Sequence, residues 1–153
     1  IAGASPESRQ AIGEFGEAMA IAFQIRDDLL NLTTSEDDAA TAPGITSGAY
    51  GKERGGDIAE GKRTLIIIDL LRKCNDTQRL EILDVLHAHR DRTTPEQIER
   101  VIALADDHGA IAYAEQESRR RGEEAVRLLE ALPDTPQRQL LREMLDFFVQ
   151  RAF

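Results

Sequence analysis

Apolar positions along this chain recur at three- and four-residue spacing, so the pattern predicts helices. Ile12, Phe15, Met19, Ala22 and Phe23 form one stripe, and Ser5-Pro6 supplies an N-cap hydroxyl followed by proline at the first helical position. One long helix is therefore predicted from about 6 to 33. "TLIIIDLLRKC", residues 64 to 74, is apolar nearly all round and reads as a central helix. Leu80, Leu83, Val85 and Leu86 mark another. Thr94-Pro95-Glu96-Gln97 is a capping box that opens a helix through Ile98, Val101, Ile102 and Ala105, with His108-Gly109 as its C-cap. A helix from about 110 to 132 stops at Pro133, and the last starts at Thr135-Pro136, with Leu140, Leu141, Met144, Leu145 and Phe148 directed inward. No strand alternation or repeat is found. The fold class predicted is all-α, a helical bundle.

Between the first two long helices, about 33 to 63, the chain has loop character, with five glycines between positions 48 and 61. Loops of such length in a compact domain are usually functional or disordered.

The stretch "FQIRDDLLNL", residues 23 to 32, ends the first helix. Gln24, Asp27, Asp28 and Asn31 fall at i, i+3, i+4 and i+7, a single stripe on an otherwise apolar segment. Two ionised carboxylates on a buried face would each cost several kcal/mol unless paired. A divalent cation removes that cost, and Mg²⁺ favours one or two carboxylates completed by water and phosphate oxygens. The plainer reading makes the stripe a solvated face. The Gly-rich loop that follows carries Lys52 in "YGKERGGD" and Lys62 in "AEGKRT", ammonium groups suited to phosphate. Its spacing is not that of a P-loop. Glycines there are expected to let the backbone approach a ligand. Carboxylates for Mg²⁺ and lysines for phosphate together describe a diphosphate site.

Composition sharpens this. The 153 residues suit one domain, with 41% hydrophobic and 31% charged residues. A formal net charge of −9 repels phosphate backbones, so no nucleic-acid partner is expected, and an anionic substrate needs local positive charge. Cys74 is the lone cysteine, which points to a reducing, cytoplasmic setting. No apolar run reaches the ~20 residues of a membrane span; the longest, around Leu65 to Leu71, is interrupted by Asp69. The chain begins at Ile1 without Met, which reads as a fragment.

The combination "GEAMAIAFQIRDDLLNL…YGKERGGDIAEGKRTLIIIDLL" resembles the second aspartate-rich region of the trans-isoprenyl diphosphate synthases. That family's pattern is an F-Q-x-x-D-D-x-x-D helix, a loop with two G-K pairs and G-x-D-[IL], then an apolar helix. Gln24, Asp27, Asp28, Lys52, Asp57 and Lys62 stand at matching positions, and "HGAIAYAE" and "LLREMLDFFVQRAF" extend the likeness over the chain as a C-terminal half. The usual third aspartate is Asn31 here, as in geranylgeranyl diphosphate synthases. The resemblance implies a partial isoprenoid-synthase fold and a prenyltransferase that condenses an allylic diphosphate with isopentenyl diphosphate using Mg²⁺. It implies Asp27, Asp28 and Asn31 toward the metal, Gln24, Lys52 and Lys62 toward substrate, and catalytic roles for Asp27, Asp28 and Lys52. Asp57 would hold water outside the metal's own ligands. A homodimer, or association with a missing N-terminal half, is also implied. The family's first motif, D-D-x-x-D, has no counterpart here, so the chain alone is expected to be inactive. The 33 to 63 segment is expected to be mobile until metal and diphosphate order it.

The alternative is a non-catalytic regulatory or interaction module derived from the same fold. "NDTQRLE", residues 75 to 81, is similar to a terpene-cyclase metal motif, but Arg79 stands where a hydroxyl is required. His87 and His89 point apart on a helix, and Asp106-Asp107 lacks a third ligand. Glu36-Asp37-Asp38 reads as a solvated loop and Arg119 to Arg121 as a solvent face.

Overall fold

The structure is a computed structural model that describes residues 3–33 and 54–149, the side chains of Thr33, Phe148 and Val149 excepted. Residues 34–53 lie outside the described residues, and with them fall Lys52, the 36–38 acidic run and most of the segment expected to be mobile.

Among the described residues the elements are helices and one 3₁₀ turn. They are α1 (Pro6–Thr33), α2 (Gly56–Ala59), α3 (Leu65–Lys73), α4 (Asp76–His87), a 3₁₀ turn at Arg90–Arg92, α5 (Pro95–Asp107), α6 (Ala110–Glu130) and α7 (Pro136–Val149). The all-α expectation holds, and the helix limits follow the capping chemistry. Ser5 Oγ accepts the Ser8 amide at the start of α1. Both halves of the Thr94–Gln97 capping box form. Gly109, with φ of +66°, follows the His108 cap of α5. The "NDTQ" stretch has a local structural role: Asn75 and Gln78 form the capping box of α4, and Arg79 pairs with Asp76.

The chain packs as two units. One comprises Ile1–Arg26 with Glu115–Phe153, and its core gathers Phe15, Ala18, Ala125, Leu129 and Leu145. There the buried Ser118 hydroxyl donates to the Ala22 carbonyl at 3.0 Å, so two long helices are joined by a polar contact as well as by apolar packing. The other is Asp27–Ala114, whose deeply buried side chains include Leu29, Ile66, Ile67, Leu70, Ile82 and Leu104.

Two expectations need correction. The loop predicted to run to 63 contains α2, a helical turn whose four residues are all buried. Leu140 and Met144 are exposed although predicted inward, because among its described side chains α7 buries only Leu145 and half-buries the apolar Leu141, while Phe148 lies outside them.

Gly55 and Gly61 both have φ near +70°. A Cβ on Gly55 would overlap the Ile98 side chain, and one on Gly61 the Leu86 carbonyl oxygen. Their observed role is close packing against α4 and α5, which the expectation of ligand approach did not foresee. Gly61→Ala is therefore expected to destabilise by about 1–3 kcal/mol from the backbone conformation alone. Gly13→Ala at an exposed position of α1, where a Cβ meets open space, should instead stabilise by about 0.5–1 kcal/mol. Thermal unfolding of both variants checks this; an unchanged midpoint for Gly61→Ala contradicts it.

Candidate functional site

The last turn of α1 needs partners for its carbonyls, since the final four of any helix have none within it. The returning chain supplies them. Gly55 N–H donates to the Asn31 carbonyl at 2.8 Å, and Arg54 Nε–H donates to the Leu32 carbonyl at 2.7 Å. The Asn31 side chain joins in: its Oδ1 accepts the Asp57 amide at 3.1 Å. Residue 31 is thus bonded to α2 by backbone and by side chain.

Asn31 is 7% exposed and Asp57 6%. A carboxylate at such depth is costly without a partner. Lys62 provides it, with Nζ donating to Asp57 Oδ1 at 2.6 Å. The Lys62 amide donates to the Asp57 carbonyl at 2.9 Å, which closes the turn. Glu60 lies 3.0 Å from the same ammonium. The Lys62 side chain stays 48% exposed, so one side of the ammonium faces outward.

Asp27 and Asp28 lie one helical turn before Asn31 and are half-buried. Gln24, a further turn earlier on the helix, is exposed. The stripe thus grades from exposed at Gln24, through half-buried carboxylates, to buried at Asn31. It is neither a fully solvated face nor a fully interior one. Asp27, Asp28, Asn31, Asp57 and Lys62 all belong to the 27–114 unit and are linked by α1 and two side-chain hydrogen bonds. No group of three or more His, Cys, Asp or Glu suited to a metal occurs among the described residues. A cavity of about 470 Å³ opens near the end of α1, lined by Leu32, Arg54, Glu99, Ile102, Ala103, Asp106 and Ile111. It holds none of the predicted site residues.

The discounted groups have ordinary partners. His87 Nε2 lies 2.9 Å from Arg63 Nη2, and His89 pairs with Asp91. His108 reaches Gln78 Oε1 at 3.2 Å. Arg120 and Arg121 pair with Glu117 and Glu124. Cys74 is buried packing. Sequence reasoning passed over Asp69, taken only as a break in an apolar run. It is buried, and its Oδ2 sits 2.5 Å from Lys73 Nζ without hydrogen-bond alignment, while the ammonium lies 5.4 Å from the Tyr113 ring centre. The i, i+4 spacing of Asp69 and Lys73 was the available signal.

A family model described as polyprenyl synthetase matches residues 1–105. The chain belongs to the polyprenyl synthetase family. It is 33% identical to a geranylfarnesyl diphosphate synthase of Aeropyrum pernix over 153 aligned residues, covering 99% of this chain and 43% of that protein. It is 29% identical to a geranylgeranyl diphosphate synthase of Methanosarcina mazei, covering all of this chain and 41% of that one. The solved geranylgeranyl pyrophosphate synthetase of Pyrococcus horikoshii superposes with a TM-score of 0.79 at 26% identity, over 97% of this chain and 41% of that structure. This polyprenyl synthetase chain therefore spans about two fifths of the length of the curated relatives it matches. No described helix is long and apolar enough to cross a membrane.

Hydrogen bonds from Lys62 to Asp57, first, and to Glu60 push the ammonium pKa above the usual lysine value, against a smaller opposing effect of burial. A raised lysine pKa stabilises the fold fully below the ordinary value, and the gain is lost as pH climbs through the raised one. Acylation of Lys62 by an amine-reactive reagent at pH 9 is therefore expected to be slow, and to speed up by about tenfold in Asp57→Asn, the change one pKa unit brings. Equal rates in the two proteins would contradict the pairing.

Proposed function

We propose that this chain is the C-terminal portion of a prenyltransferase that condenses an allylic diphosphate with isopentenyl diphosphate in a Mg²⁺-dependent chain elongation. The observation that carries the reading is the tie between the Asp27–Asp28 pair and the Lys62 ammonium, through Asn31 and Asp57, within one packed unit. A carboxylate pair and a cation held at a fixed relation suit a metal–diphosphate substrate.

The donor set fits Mg²⁺. Two half-buried carboxylates, with no group of three His, Cys, Asp or Glu suited to a metal among the described residues, make a poor closed cage but suit an ion completed by water and phosphate oxygens. Asp27 and Asp28 would hold it, with Gln24 oriented toward substrate or its water from the exposed end of the stripe. Mg²⁺ bound there would offset the charge that grows on the departing diphosphate. The Lys62 ammonium donates to a phosphate oxygen with its exposed side while Asp57 keeps it charged and in place. Lys52 is proposed as a second phosphate ligand on sequence grounds. Asp57 acts through Lys62 and through water rather than on the metal.

The Asn31 pattern supports a geranylgeranyl product. On this reading catalysis requires a second aspartate-rich wall, so activity needs an N-terminal half beside these 153 residues; self-association as a homodimer and a cytoplasmic setting belong to the same proposal. A second reading, a non-catalytic interaction module, is favoured by the exposed Leu140, Met144 and Phe147 on α7.

The test uses the complete protein encoded with this chain, Mg²⁺, farnesyl diphosphate and labelled isopentenyl diphosphate. Condensation is expected, with Asp27→Ala and Lys62→Ala each lowering kcat by about 100-fold or more. Unchanged rates in both variants would defeat the site, and no condensation by the complete protein would favour the module.

A further inference from the structure

We propose that Asn31 is a positioning residue, whose neutral carboxamide sets the turn that presents the Lys62 ammonium. The proposal rests on the reading of Lys62 as a diphosphate ligand, and it assigns Asn31 a role other than holding metal.

Three observations carry it. The Asn31 side-chain oxygen is committed to the Asp57 amide, and the Asn31 main-chain oxygen to Gly55 N–H. Both acceptors therefore fasten the first turn of α2. Asp57 is the residue whose carboxylate then holds Lys62 Nζ at 2.6 Å. Asn31 is also more than nine-tenths buried, while the carboxylates a turn earlier are half-buried. It stands deeper than the groups suited to a hydrated cation.

The choice of amide follows from charge. An aspartate at 31 could accept the same N–H, but it would place another negative charge at a buried position near Asp27, Asp28 and Asp57. Such a charge is costly there without a partner of its own. Asparagine keeps the acceptor and removes the charge. Its remaining polar atom, Nδ2, has no hydrogen-bond partner among the described residues. A buried donor left unmet is itself unfavourable. The oxygen's bond to Asp57 therefore accounts for the amide better than the nitrogen does.

The geometry also explains why the link has to come from a side chain. Gly55 enters α2 in the left-handed conformation and offers no capping side chain. The Ile58 and Ala59 amides close on the Gly55 carbonyl, whereas the Asp57 amide stands ahead of that turn and takes its acceptor from outside the helix. Asn31 reaches across 26 positions of sequence to supply it, at the residue that controls the lysine.

The test is hydrogen–deuterium exchange at the Asp57 amide, with the rate of Lys62 acylation at pH 9 as the second readout, in the full chain. In Asn31→Ala the Asp57 amide should exchange about tenfold faster or more, while the α3 amides of Ile67 and Leu70 keep their protection. Lys62 should react faster in the same variant. Asn31→Asp, which keeps the acceptor and adds the buried charge, should return exchange at Asp57 and acylation of Lys62 toward their slow wild-type rates while lowering the thermal midpoint below that of the wild type. A residue that served only global stability would move the α3 amides too and leave Lys62 protected. Unchanged exchange at Asp57 in Asn31→Ala overturns the proposal, as does failure of Asn31→Asp to restore it while α3 stays protected. Binding of inorganic pyrophosphate with Mg²⁺ to the wild-type protein is read separately by calorimetry. Its absence alongside the Asn31 effects overturns the diphosphate reading of Lys62 and leaves the positioning role supported.

Discussion

The site depends on how the end of α1 is closed. A helix that stops inside a protein leaves carbonyls that must be satisfied. Here the chain comes back after residue 53 and gives Arg54, Gly55 and Asp57 to Leu32 and Asn31. Those contacts fix the start of α2 relative to the end of α1. The left-handed Gly55 lets the backbone turn in against Ile98, and the left-handed Gly61 lets it leave past the Leu86 carbonyl. Between those two glycines sits Asp57, and just beyond them Lys62. Asp57, and through it Lys62, owe their place relative to Asn31 to this closure.

Charge follows the same arrangement. In a chain of net charge −9, a lone lysine on a flexible loop would be a weak attractor for an anion. Lys62 is instead held by a buried carboxylate and flanked by Glu60. Its position is set and its charge secured, while half of its side chain stays in solvent. The cost is a local charge already partly neutralised. On the proposed function, diphosphate binding draws on a metal at Asp27 and Asp28 as well as on the lysine.

Much of the fold was legible in the sequence because capping residues and proline mark helix ends chemically. Ser5, the Thr94–Gln97 box, Gly109 and Pro136 all stand where the reading put them. The Gln24–Asn31 stripe was legible from periodicity alone. What the spacing could not show was its gradient of burial, because depth depends on what packs against the helix. Nor could it show that Asn31 binds a backbone amide 26 residues away. The glycines were read through a ligand, whereas Gly55 and Gly61 are needed where a side chain would collide with α5 and α4. Leu140 and Met144 misled because an apolar residue at helical spacing need not meet a partner within the described chain. Lys52 lies outside the described residues, and its part in the site stays a sequence inference.

The most direct measurement is a crystal structure of the protein grown with Mg²⁺ and inorganic pyrophosphate. The account requires a metal ion on Asp27 or Asp28 and a phosphate oxygen within hydrogen-bond distance of Lys62 Nζ, with Asn31 Oδ1 still on the Asp57 amide. An anion seated away from Lys62, with both aspartates free of metal, would contradict it.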